Sequence, residues 1–140
     1  MTVALKTIRD AVATKLSSIN SIQEVKKYLV VWWAGYPLAC VVPVGLDNSL
    51  LTNKEEFRVY GVKIILQQEA QEQGDQASWD SLLDVFDDVL EAFSSDWDLA
   101  GAINNIRPIP GDFGEFWGDA GKIIYAEITL AIEVISDTIS

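Results

Sequence analysis

A chain of 140 residues, 49% of them hydrophobic, is long enough for one domain with a core of its own. Its net charge of −11 repels a phosphate backbone and argues against ordinary nucleic-acid binding. Histidine is absent and Cys40 is the single cysteine, which removes Ser-His-Asp and Cys-His chemistry, an internal disulfide and an ordinary zinc site. No apolar run approaches the ~20 residues that span a bilayer. The N-terminus, "MTVALKTIRDAVATKL", lacks a signal-peptide core. The expectation is a protein made in a cytoplasm, with no membrane partner, metal or cofactor.

Residues 3 to 19 are expected to form a helix, because Leu5, Ile8, Val12, Leu16 and Ile19 recur at three- and four-residue spacing. Thr2 is its expected N-cap. Residues 24 to 34 are β-branched and aromatic and read as a strand. "AGYP" then turns the chain, and residues 38 to 44, "LACVVPV", return as a second strand. Pro43 lacks a ladder donor and suggests an edge or a strand end. Cys40, inside the apolar run, reads as a buried inert thiol. Residues 45 to 56, "GLDNSLLTNKEE", show no clear period and read as an extended loop, polar at both ends with Leu50 and Leu51 at its centre.

Residues 57 to 70, "FRVYGVKIILQQEA", form a long strand with Tyr60, Val62, Ile64 and Leu66 on one face. Residues 76 to 94 carry the clearest helical stripe: Trp79, Leu82, Leu83, Phe86, Val89, Leu90 and Phe93. Asp80, Asp84, Asp87, Asp88 and Glu91 cover its other side. A short strand follows at 102 to 110, then a glycine-rich hairpin connection, "GDFGEFWGDAG", with Trp117 in it. Residues 122 to 135 close the chain as its longest strand, with Ile124, Ala126, Ile128, Leu130, Ile132 and Val134 on one apolar face.

The order helix, three strands, helix, two strands is that of an α+β domain. The expectation is a single domain over 1–140: a mainly antiparallel sheet of about five strands, with two helices packed on one face. Two helices cannot cover both faces of strands this long, so part of the second face needs another molecule.

The constellations that might carry chemistry have simpler readings. The aspartates of the second helix do not converge on a point and form a solvated face. Asp112, Glu115 and Asp119 lack the alternating ligand spacing of a calcium loop. "GDAGK" at 118 to 122 lacks the first glycine and the final Ser or Thr of a phosphate loop. Glu55 and Glu56 are adjacent carboxylates with no pocket-forming pattern around them. Trp32 and Trp33 point to opposite faces of a regular strand, so one can be core and the other needs a helix, a neighbouring subunit or partial exposure.

The layout as a whole resembles a family. An amphipathic helix is followed by "VKKYLVVWWAGYPLACVVPVG" and a loop feeding "FRVYGVKIIL". Then come the acidic helix "SWDSLLDVFDDVLEAF", "DLAGAINNIRPIPGDFG" and the closing "GKIIYAEITLAIEV". In this order they resemble the tail terminator proteins of long-tailed bacteriophages, also called tail completion or minor tail proteins.

The resemblance implies an α+β structural subunit of the virion, assembling as a homo-oligomeric ring, typically a hexamer, at the head-proximal end of the tail. Its implied partners are the major tail tube protein, the head–tail connector or stopper protein, and genomic DNA that passes without specific binding. Its implied action is to terminate tube polymerisation and support head joining. The family's long early loop takes part in ring or tube contacts. Here that position is 45 to 56, which brings in Leu50, Leu51, Glu55 and Glu56. The alternatives are another neck component, such as a connector–adaptor or stopper protein, a monomeric ligand-binding domain, and a small carboxylate enzyme.

Overall fold

The computed structural model describes residues 5–28, 37–50, 55–70, 75–95, 105–118 and 121–137. The expected N-cap Thr2, the expected interface residues Trp32, Trp33 and Leu51, and Trp97 lie outside them. In chain order the elements are α1 (Leu5–Ser17), β1 (Glu24–Lys26), β2 (Leu38–Leu50), β3 (Glu55–Glu69), α2 (Asp75–Ser95), β4 (Asn105–Gly118) and β5 (Gly121–Asp137). The five strands form one sheet in the order β1-β2-β3-β5-β4. All its pairings are antiparallel except β1 with β2, which is parallel. The fold is therefore α+β, with a mixed, mostly antiparallel sheet and two helices packed against it.

Both helices lie on one face, because their apolar stripes share a core with one set of alternating strand residues. α1 contributes Ile8, Val12, Ala13 and Leu16, and α2 contributes Leu82, Val85, Phe86, Val89 and Phe93. The sheet meets them with Ala39 and Val41 of β2, with Tyr60, Val62, Ile64 and Leu66 of β3, and with Ile124 to Ile132 at every second position of β5. Each fully buried side chain of this kind stabilises the fold by roughly 1.5–3 kcal/mol. α1 packs over β1 and β2, and α2 over β3, β5 and β4.

α1 ends as its ladder tightens. The amides of Ser18 and Ile19 donate to the carbonyls of Lys15 and Leu16 at 3.1 and 3.0 Å, the i→i−3 pattern that closes many helices. The amides of Gln23 and Glu24 then donate to the Pro37 carbonyl, at 3.0 and 3.4 Å, and this starts β1 beside β2.

Four expectations need correction. The first strand, expected over 24 to 34, is described only as Glu24–Lys26, which runs parallel to β2 and does not return against it; residues 29–36, with most of "AGYP", lie outside the described residues. The expected loop at 45 to 56 is largely strand: β2 continues to Leu50 and β3 begins at Glu55, with Leu50 opposite Glu56. A long regular partner overrides weak local periodicity, and the irregularity between Pro43 and Gly45 keeps β2 in step with β3 beyond the proline. The expected glycine-rich connection is also strand, since β4 runs from Asn105 through Gly118. A bulge between Pro110 and Phe113 and the small size of Gly114, where a Cβ would lie 2.6 Å from the Tyr125 hydroxyl, let it follow β5. Finally, the stripe of α2 is rotated from the expected one. Val85 is buried and Leu83 is 41% exposed, because Leu83 lies about 100° around the helix from Leu82.

Pro43 is not a strand end, since β2 runs on to Leu50; among the described residues β1 pairs only with Leu38 to Cys40. Cys40 is buried, as its apolar surroundings suggested.

Candidate functional site

The β2–β3 hairpin and the end of β5 form a three-stranded extension of the sheet. Tyr60 and Ile132, paired in register, are the last described core residues toward that end. Beyond them β3 continues to Glu55, β5 to Asp137 and β2 to Leu50, a reach of roughly 15 Å at ~3.4 Å per residue. The described part of β4 begins at Asn105, opposite Glu133. Leu50, Glu55 and Glu56 are thus gathered by backbone register at its far end: Leu50 opposite Glu56, Glu56 opposite Ser136 and Glu55 opposite Asp137. No chemistry between these groups follows from that placement. What it provides is a shared end of three paired strands.

The sheet face away from the helices is more polar than expected. Leu38, Cys40 and Ile123 are buried there, but Lys63 pairs with Glu127 at 3.6 Å, and Thr129 and Glu133 follow along β5. Apolar and charged side chains therefore mix on this face.

A third surface was not anticipated. Along the β4 side of α2, Trp79 and Leu90 are partly buried and Leu83 is exposed. Phe113 of β4, 44% exposed, stacks at a tilt against Phe86 at 4.9 Å and Trp79 at 6.5 Å between ring centroids. Further along β4, Trp117 is 75% exposed and lies under the Lys122 ammonium, 5.8 Å from its ring centroid. The same ammonium meets Glu115 at 3.4 Å. Two signals in the sequence pointed here. Pro108 and Pro110 mark an edge strand, and seven apolar residues in one helical stripe are more than one sheet contact can bury.

At the opposite edge the charges gather around Asp10. Its carboxylate accepts from Arg9 at 3.0 and 3.1 Å and lies 3.1 Å from the Lys27 ammonium. Lys27 first, then Arg9, hold this carboxyl below its ordinary value. Asp88 of α2 accepts a 2.8 Å bond from the Ser21 hydroxyl, which ties the second helix to the turn after the first. Among the described residues, no three Cys, Asp or Glu side chains stand close enough to hold a metal ion, and no helix is long and apolar enough to cross a membrane. No protein-family model matches the chain, and no curated protein matches it either.

Proposed function

We propose that this chain is a bacteriophage tail terminator. Copies of it close into a ring, a hexamer, at the head-proximal end of the tail. The ring stops growth of the tail tube and presents the surface that the head connector or stopper protein joins. The observation that carries this reading is the three-stranded extension, which ends at Leu50, Glu55 and Glu56. A three-stranded sheet end suits contact with another subunit or with the end of a tube, and these are the residues to which the family resemblance assigns such contacts. The action is binding and not catalysis, in keeping with a chain that has no histidine. The net charge of −11 suits a channel through which DNA slides, because negative walls do not hold phosphates.

The test is complementation of a phage that lacks this gene, read by electron microscopy. Replacing Leu50 and Leu51 by aspartate puts two charges into a contact that must be desolvated. The expected result is tails of uncontrolled length, or tails that fail to join heads, from a chain that still folds. Normal tails and normal joining would remove the hairpin from the mechanism. Normal tails with empty or leaking heads on deletion of the gene would move the protein to the head side of the neck, as a connector–adaptor or stopper.

A further inference from the structure

Charge is divided between the two edges of the sheet. Residues 6 to 27, which form α1 and β1, hold Lys6, Arg9, Lys15, Lys26 and Lys27 against Asp10 and Glu24. α2, over the other half of the sheet, holds six acidic and no basic side chains. The β1 and β4 edges stand four strand spacings apart, roughly 19 Å. One fold therefore carries a basic edge and an acidic edge on opposite sides.

Each edge also exposes apolar surface. On the acidic side it is the flank of α2 with Phe113, described above, with Asp80, Asp84 and Asp87 exposed beside it. On the basic side Tyr28 is 61% exposed, next to Lys27. The Lys27 and Lys26 ammonium groups meet Asp10 at 3.1 Å and Glu24 at 3.5 Å, and the side as a whole keeps an excess of positive charge. An exposed aromatic ring on a net basic side complements an apolar flank rimmed by carboxylates. β4 is poorly suited to accept an added strand, because Pro108 and Pro110 offer no amide donors along it. A partner at this edge is held by side chains.

We propose that the α2/β4 edge of one copy of this chain docks against the α1/β1 edge of the next, with Tyr28, Lys26 and Lys27 of one copy seated on Trp79, Leu83, Leu90 and Phe113 of its neighbour. This contact rests on the ring reading above and gives it a direction: it is heterologous, head to tail, the type that closes into a ring when the rotation permits. A symmetric contact between two α2 flanks would set carboxylates against carboxylates and is disfavoured for that reason.

Two charge reversals of the full chain test it, with sedimentation velocity as the readout and circular dichroism melting to show that each variant folds. The first changes Asp80, Asp84 and Asp87 to lysine, which makes both edges basic. The second changes Lys26 and Lys27 to glutamate, which makes both edges acidic. The expected result is that wild-type chain self-associates and that each variant alone does so at least about tenfold more weakly. An equimolar mixture of the two should assemble again, with alternating subunits. Leu83→Asp, on exposed surface, should weaken association while lowering the melting temperature by only a few degrees, far less than a core substitution. A wild type that stays monomeric at its solubility limit, reversals without effect, or a mixture that stays dissociated would overturn the contact. So would self-association lost in the first variant and kept in the second, which marks an α2-to-α2 interface. Failure here with the Leu50 and Leu51 phenotype intact leaves the terminator reading standing. Assembly of the mixture, with normal tails and joined heads in phage lacking the gene, leaves the contact standing without that reading.

Discussion

Leu82 and Leu83 are neighbours in sequence with opposite fates, and truncating each to alanine measures the orientation of α2. Leu82 is 0% exposed and belongs to the core. Leu82→Ala leaves a cavity between helix and sheet and should cost about 2–5 kcal/mol. Leu83 is 41% exposed and lies on the flank. Its truncation removes only part of the roughly 1.5–3 kcal/mol that full burial of a leucine contributes, and leaves no enclosed cavity. Alanine is also the better helix former, which offsets some of the loss. Leu83→Ala should therefore cost about 1 kcal/mol or less. Urea unfolding reads the difference directly, as a shift of midpoint at constant slope. In a thermal melt, Leu82→Ala should lower the midpoint by several degrees, at roughly 3 °C per kcal/mol for a chain of this size. Equal losses at the two positions, or a larger loss at Leu83, would mean that α2 is rotated by about one residue and that the exposed flank is misassigned.

Two further outcomes follow from single positions. Gly121 has φ of +129° and open space around its missing Cβ, so Gly121→Ala should cost about 1–3 kcal/mol through backbone strain alone, and an unchanged urea midpoint would refute that assignment. Asp10 titrates below its ordinary value of 3.8 because Lys27 and Arg9 hold the charged form; a carboxylate depressed on folding contributes stability that is present above its unfolded value and lost as pH falls through its folded value. Wild type should melt slightly above Asp10→Asn at pH 7, by a small margin because the pair is exposed, and the margin should shrink at a pH well below 3.8. A margin equal at both pH values would show that the ion pair is not its source.

The elements most legible in the sequence were those whose pattern repeats over many residues. The alternation of Tyr60, Val62, Ile64 and Leu66 and of Ile124 to Ile132 marked one buried sheet face, and those residues form it. The stripe of α2 gave the helix but not its rotation, because Leu82 and Leu83 look alike in a stripe wide enough to hold both. The strand ends were hidden for a different reason. Asp47 to Leu50 and Phe113 to Gly118 are paired with long neighbours, and a polar or glycine-rich segment can join a ladder when its partner is already in place. The parallel pairing of β1 was also invisible, since three residues carry no period and a register with Leu38 to Cys40 is a tertiary fact. Of the candidate contact residues, Leu50, Glu55 and Glu56 were placed together by their position in one expected segment, although that segment proved to be a hairpin end and not a loop. The α2 flank with Phe113 was missed because it joins residues far apart in the chain.

The extension follows from an arithmetic of lengths. A helix rises 1.5 Å per residue and a strand ~3.4 Å. α2, with 21 residues, is about 31 Å long, while β5, with 17 residues, reaches about 55 Å. Covering β5 from end to end would take a helix of more than about thirty-five residues. The buried positions of α2 run from Ser78 to Phe93, about 22 Å, beside a described buried run of β3 from Gln68 to Tyr60 of about 27 Å. Past Tyr60 and Ile132 a three-stranded end of the sheet continues to Leu50, Glu55 and Asp137. In a ring it becomes the part free to meet a neighbour or the tube, while the helices and the edges they flank set the lateral contact. The two proposed surfaces, hairpin end and α2 flank, therefore lie on different parts of the fold and can be disrupted independently.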